Sequence, residues 1–372
     1  MRVSTGQRKI GYAVVGLGYI SQVAVLPAFK NARVNSRLAG LVSDDPVKFK
    51  KLSRKYRVEH AYHYEEYDEC LRNPDIHAIY IALPNSMHAE YTIRAAEAGK
   101  HVLCEKPMAV TEEECEEMID ACKENHVKLM IAYRLHFERA NLEAVELARG
   151  SKIGDLRIFH SLFTMQVKKG NSRLKKELGG GTLYDIGIYC INAARNLFQD
   201  EPEKVFAFYA SNPEDRFREV EEMITALMYF PQNRLASFTC SFGAADISTY
   251  RLVGTEGSIQ ADSAYEHSSD IKLHIQADGS TQRRIYRKRD QFGPELVYFS
   301  NCILQNTDPE PSGKEGLADI RIIRALYQSA QIKEAITLPR FDRRRRPTME
   351  QEIQRPYFRE PELAHAESPS GR

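Results

Sequence analysis

The chain has 372 residues, with 52 Lys+Arg against 51 Asp+Glu, a formal charge of +1, and 42% hydrophobic residues. That balance excludes both the basic field that recruits nucleic acid and a chain too polar to build a core, and the length fits two domains of ordinary size. No apolar run is long enough for an ordinary transmembrane helix, and the opening MRVSTGQRKI has no apolar signal core, so a cytoplasmic location is the expectation.

In chain order, residues 9–16 (KIGYAVVG) form a short apolar run ending in a Gly-rich turn, followed by a helical pattern over 19–30. Strand-like runs follow at 36–43, briefly at 62–64, and at 77–83, 101–105 and 127–133, separated by helical patterns. Pro46 opens one such helix, and Thr111 with Glu114 has the spacing of a capping box at another. Continuous apolar strands alternating with helices predict a Rossmann-type α/β domain with a parallel, doubly wound sheet. After about residue 134 the rhythm changes. Strand-like runs at 155–167, 204–211, 223–230, 234–242 and 249–255 arrive in succession, some separated by turn signals, which predicts a mostly antiparallel open sheet in an α+β domain. Helices are expected near 184–197, 294–306 and 316–334, the last two packing back on the first domain. The predicted division is 1–134, 135–340 and a Pro- and charge-rich tail, 341–372, read as disordered or arm-like. Its run Arg343–Arg346 reads as a solvated face rather than a polyanion site. Seven cysteines, an odd number without a CxxC pair, predict reduced thiols and no metal site.

Chemistry-bearing residues gather at the predicted strand ends. After the first strand, Gly16 and Gly18 fill two positions of a dinucleotide fingerprint, with Ser21 at the third and Tyr19 and Ile20 entering the helix. At the end of the second strand, Asp44 favours ribose hydroxyls and hence NAD, whereas Ser43 and Lys48 favour a 2′-phosphate and hence NADP. The fourth strand ends in ALPNSMH, carrying Leu83, Asn85 and His88. The fifth ends in CEKPM, carrying Glu105 and Lys106. Further on, GGGTLYDIGIY places Asp185 and Tyr189 four apart, on one helix face.

In combination, VVGLGYIS, ALPNSMH, CEKPM, IAYRLHF and GGGTLYDIGIY resemble the Gfo/Idh/MocA family of NAD(P)-dependent oxidoreductases over about residues 8–340, nearest to its glucose–fructose (aldose) oxidoreductase branch. The resemblance implies a Rossmann domain followed by an α+β domain whose open sheet serves as an oligomer surface, hence a homodimer or homotetramer. It places catalysis on Lys106, Asp185 and Tyr189. It places cofactor contacts on Gly16, Gly18, Tyr19, Ile20, Ser43, Asp44, Lys48, Leu83, Asn85, His88, Glu105, Lys106, Tyr133, Arg134 and Arg173. The Ser43 and Lys48 positions tilt the cofactor choice to NADP. Asp44 stands where the branch often has Gly, and Ser172-Arg173 replaces its Trp-Arg pair.

The implied reaction oxidises a cyclic aldose at its anomeric carbon to a lactone, and a tightly held NADP(H) would allow hydride to pass to a second sugar. The anomeric hydroxyl needs a base, and Tyr189 is the first choice because a nearby ammonium favours a phenolate. Lys106 is the alternative base, and Asp185 binds a sugar hydroxyl or positions Lys106. Two other readings stand beside this one: an oxidoreductase for a diol, inositol or imine, and a non-catalytic sugar sensor on the same fold.

Overall fold

A computed structural model describes residues 9–343 and 345–371. The first eight residues and Arg344, a member of the basic run, lie outside the described residues.

Six parallel strands form the first sheet: β1 (Ile10–Val15), β2 (Ser36–Val42), β3 (His60–Tyr62), β4 (Ala78–Ile81), β5 (His101–Glu105) and β6 (Leu129–Ala132). Every residue of β1 and β4 is buried, as expected of strands covered by helices on both faces. Helices α1 (Leu26–Ala28), α2 (Pro46–Tyr56), α3 (Tyr67–Arg72), α4 (His88–Glu97) and α5 (Glu112–Glu124) make the crossovers. Their ends are set by local chemistry. Asp45 caps α2 by accepting from the amides of Val47 and Lys48, with Pro46 in the first turn. The Thr111–Glu114 capping box forms as read from the sequence. The strand order is β3-β2-β1-β4-β5-β6, so the chain reverses its winding between β1 and β4. A crevice opens at the carboxyl ends of strands at such a reversal.

After β6, helix α6 (Arg139–Arg149) leads into the second sheet. Its strands are β7 (Leu156–Thr164), β8 (Lys204–Ala210), β9 (Met223–Phe230), β10 (Arg234–Ser241), β11 (Ile247–Gly254), β12 (Ser258–Asp262), β13 (Ile271–Ala277), β14 (Ser280–Tyr286) and β15 (Ile336–Thr337). The order is β14-β13-β12-β11-β7-β10-β9-β8-β15, antiparallel except for the β7–β10 pair. Strands β12, β13 and β14 extend the sheet beyond the last strand read from the sequence. Helix α7 (Ile188–Phe198) and helix α9 (Gly313–Ile332) cover one face. The other face exposes Ile158, Leu235 and Tyr229, which register opposite one another across β7, β10 and β9, and Leu227, two residues before Tyr229 on β9.

Helix α8 (Phe292–Gln305) returns to the first sheet, where Leu296 and Phe299 join the core around Tyr12. Tyr12 Oη and Ser300 Oγ lie 2.7 Å apart across this contact. The residues after β15 form an extended arm. Arg343, whose side chain is 4% exposed, enters a buried acid cluster and donates to Glu310 at 2.6 Å and to Glu315. Arg346 reaches Glu201 at 2.7 Å. This corrects the solvated reading for Arg343 and Arg346, whose partners are acids distant in sequence and whose burial follows from pairing with them, while Arg345 is exposed. The arm then crosses the first domain, with Arg355 Nε donating to Asn31 O at 2.9 Å. Ala364 exchanges two hydrogen bonds with the Gln22 side chain, and Ser370 pairs with Val167 just beyond β7. Among the described residues all seven cysteines are buried free thiols, no helix is long and apolar enough to cross a membrane, and no cluster of metal-ligating side chains occurs.

Candidate active site

At the end of β1 the chain turns at Gly16, whose φ of +90° and close approach to Ala82 exclude a side chain: an added Cβ would lie 2.4 Å from Ala82 O. Ser21 Oγ donates to Gly16 O at 2.5 Å, so the small residue at the third fingerprint position closes the loop on itself. Gly18 differs. An added Cβ there meets nothing within 4 Å, because it would project into open space. A wide π-type turn, Ser21–Val25, starts the following helix behind the loop. A bare backbone loop before a helix, facing an open crevice at the sheet's reversal point, fits a dinucleotide pyrophosphate.

The crevice holds about 1700 Å³ of space outside protein atoms, its open mouth included. Gly16, Gly18, Tyr19, Ile20, Lys48 and Leu83 line it, as do Asn85, His88, Glu105, Lys106, Arg134 and Arg173, together with Asp185 and Tyr189. Of the residues singled out by sequence, Ser43, Asp44 and Tyr133 are not in its wall. Ser43 is buried and accepts from Asp45 N at 3.3 Å. Asp44 turns toward the end of β3, where its Oδ1 accepts from Tyr64 N at 2.9 Å. Tyr133 points into the interior and donates to Asp319 at 2.7 Å.

The reactive groups arrive from both halves of the chain. Lys106 follows β5. Its Nζ donates to the backbone oxygen of Asp185 at 2.8 Å and lies 3.2 Å from Asp185 Oδ1. Asp185 sits in a second π-type turn, Leu183–Gly187, ahead of α7, and its other oxygen accepts from Arg173 Nε at 2.5 Å. Such widened turns displace a side chain from regular helical register and recur at functional sites. Tyr189, on the next turn, lies under two cations: Lys106 Nζ is 4.8 Å and the Arg134 guanidinium carbon 5.0 Å from its ring centre. Phe163 and Tyr265 pack on the same ring.

Electrostatics fix the charge states. Burial alone would raise the Asp185 pKa, but Arg173 and Lys106 outweigh it and hold the carboxyl down to about 2. Burial alone would lower the Lys106 pKa, but the acidic groups of Tyr189, Asp185 and Glu105 outweigh it and raise the pKa. Lys106 is therefore an ammonium at neutral pH. Glu105 moves upward through burial and accepts from Tyr80 Oη at 2.8 Å.

Two predicted contacts also brace the wall. His88 lies between the ends of β4 and β5, with Nδ1 2.8 Å from Pro107 O and Nε2 3.0 Å from Leu83 O; burial lowers its pKa, and a neutral ring donates to one of these two carbonyls. Asn85 Nδ2 donates to Gly179 O at 2.8 Å. A Cβ on Gly179 would come within 2.8 Å of Asn85 Cβ, and its φ is +74°, so both space and conformation require Gly there. Sequence reasoning missed Met165, Tyr265, His267, Phe292 and Pro369 in the wall. They come from strand ends, loops and the arm, and no local motif marks them.

Comparison with known proteins agrees with this geometry. Residues 10–133 match a family model described as an oxidoreductase family with an NAD-binding Rossmann fold, and residues 141–260 match a GFO/IDH/MocA C-terminal domain. A D-xylose 1-dehydrogenase [NADP(+)] from Haloarcula marismortui is 32% identical over 336 residues, covering 88% of this chain and 93% of that protein. The crystal structure of an aldose-aldose oxidoreductase from Caulobacter crescentus, complexed with glycerol, superposes with a TM-score of 0.85 at 38% identity, covering 89% of this chain and 100% of the other. A 3-ketoreductase from Actinomadura kijaniata, solved with NADP and TDP-benzene, gives a TM-score of 0.79 at 25% identity, over 87% of this chain and 98% of that one. With the reversal-point crevice, the bare glycine loop and both domain matches in one polypeptide, the chain belongs to the Gfo/Idh/MocA family of NAD(P)-dependent oxidoreductases.

Proposed function

We propose that this protein oxidises a cyclic aldose at its anomeric carbon to the lactone, with NADP favoured over NAD as cofactor. The observation that carries the reading is the convergence of Lys106 from the first domain with Asp185 and Tyr189 from the second in one crevice beside the glycine loop. The sugar-acting relatives support the substrate class.

When bound, the nicotinamide supplies the hydride acceptor. This chain's residues then have distinct tasks. Tyr189, as a phenolate beside the ammonium of Lys106, takes the proton from the anomeric hydroxyl and becomes a neutral phenol, while Lys106 orients that hydroxyl. Because its surroundings keep Lys106 protonated, the base role falls to Tyr189 rather than to Lys106. Asp185, held anionic by Arg173 and Lys106, fixes the ammonium and offers its carboxylate to a sugar hydroxyl. Gly16, Gly18, Tyr19 and Ile20 would hold the pyrophosphate end. Lys48, with Asp44 turned away, leaves room and positive charge for a 2′-phosphate. The exposed apolar face of the second sheet supports a homo-oligomer joined through it.

The test is a screen of aldoses, inositols and diols with each cofactor, run beside Lys106→Ala and Tyr189→Phe. Turnover of an aldose should fall about 10²–10⁴-fold in each variant while dinucleotide binding persists. Undiminished turnover in both would reject the assignment. Turnover confined to diols or inositols would move the substrate class, and binding of sugar without turnover would leave a sensor.

A further inference from the structure

We propose that the C-terminal arm completes the dinucleotide site as a strap, holding the cofactor in the crevice between turnovers. The inference rests on the reading of that crevice as the cofactor site and adds the element that controls exchange.

The arm is fastened to both lips of the crevice. On the first lip, Gln22 follows the glycine loop and is 1% exposed. Its Nε2 donates to Ala364 O at 2.8 Å and to Leu17 O, inside the loop, at 2.9 Å, while Ala364 N donates to its Oε1 at 2.7 Å. One buried amide thus ties the glycine loop directly to the arm. Next to it, His365 Nδ1 lies 3.2 Å from Asp45 Oδ2, at the start of the helix that carries Lys48. On the opposite lip, Lys168 N donates to Pro369 O at 2.9 Å, and Ser370 pairs with Val167, just beyond β7. Pro369 is itself part of the crevice wall, with Tyr19, Phe163 and Met165. Residues 364–370 therefore bridge the two domains at the mouth of the crevice rather than lying on one of them.

Two features point to retention rather than to simple surface packing. The fastening at Gln22 uses the segment that would contact the pyrophosphate, so seating the cofactor and seating the strap share one loop. The anchors near the mouth are a few hydrogen bonds, among them the exposed His365–Asp45 contact, weak enough to open on each exchange.

The experiment measures NADPH dissociation by stopped-flow displacement, following nucleotide fluorescence. Three proteins are compared: the full chain, a chain ending at Leu363, and full-length Ala364→Pro, which lacks the amide donor to Gln22. The shortened chain keeps Arg343 and Arg346, so the buried acid cluster stays neutralised. Release should be about tenfold faster or more in the shortened chain, which loses both bonds to Gln22, and about fivefold faster in Ala364→Pro, which loses one, each bond taken at ordinary net strength. Copurified nucleotide should also be lost on desalting. Rates within about twofold of the full chain in both variants would overturn the proposal. Should the shortened chain fail to fold, the proline variant decides alone. Absence of NADPH and NADH binding in all three proteins would sink the cofactor reading itself, and the strap with it.

Discussion

Replacing Arg343 by Met tests whether the arm is a structural member of the fold. The guanidinium is 4% exposed and serves two acids: Glu310, itself 9% exposed, at 2.6 Å, and Glu315, fully buried. Arg195, also fully buried, shares Glu315 with it and binds Glu201 at 2.6 Å. Removing one partner of a buried pair leaves an uncompensated charge and costs about 3–5 kcal/mol. With an unfolding entropy of ~2.1 cal/mol/K per residue, the 372 residues give about 0.8 kcal/mol/K, so the melting temperature should fall by about 4–6 °C. Scanning calorimetry measures this directly. Arg345→Met is the control, because that side chain is exposed and only donates to Asp308 O. It should shift the midpoint by about 1 °C or less. The pH dependence adds a second check. Burial raises Glu310, whereas at Glu315 burial is outweighed by Arg195 and Arg343, which hold it below the usual carboxylate range; the loss of Arg343 moves both upward. A carboxyl whose folded pKa is raised supplies stability below its unfolded value, near ~4.3, and loses it as pH climbs through the folded value. The deficit of Arg343→Met should therefore be larger at pH 8 than at pH 5. A melting temperature equal to that of the parent at both pH values would refute the account of the acid cluster.

Arg173→Met should raise the Asp185 pKa from about 2, because Arg173 is the leading cation opposing burial there. The carboxylate is then lost earlier on acidification, and the acid limb of kcat/KM should move to higher pH; a pH–rate profile shows whether it does. Gly18→Val fills open space in front of the glycine loop, so dinucleotide affinity should fall by roughly tenfold or more with no change in melting temperature, as read by nucleotide titration and calorimetry. Lys48→Ala should lower the affinity for NADP more than that for NAD, measured as the ratio of the two dissociation constants.

The first domain was legible because its strands are continuous apolar runs and its turns carry glycine. Even the capping box at Thr111–Glu114 is local chemistry. Lys106, Asp185 and Tyr189 were legible as motif positions, but their meeting was not, since it depends on two domains closing on each other. Sequence order also hid which of two adjacent acids does what: Asp45 caps the helix, and Asp44 serves the backbone of Tyr64. Tyr133 sits beside Arg134 in the chain, yet their side chains point to opposite sides of the wall, one toward Asp319 and the other over Tyr189. Strand β14 is mostly exposed edge, STQRRIY, and carries too little apolar alternation to be read. The arm was least legible. Its contacts are single hydrogen bonds and ion pairs to residues far away in sequence, and such contacts impose no period.

The acid cluster binds the last part of the chain to the second domain. Glu201, Glu310, Glu315 and Asp319 all precede Arg343 and Arg346 in the chain, and these two arginines complete the neutralisation that Arg195 begins. A polypeptide cut just before Arg343 would carry Lys106, Asp185 and Tyr189, yet leave Glu310 without its arginine and Glu315 with one of its two, an uncompensated buried charge beneath an otherwise complete catalytic wall.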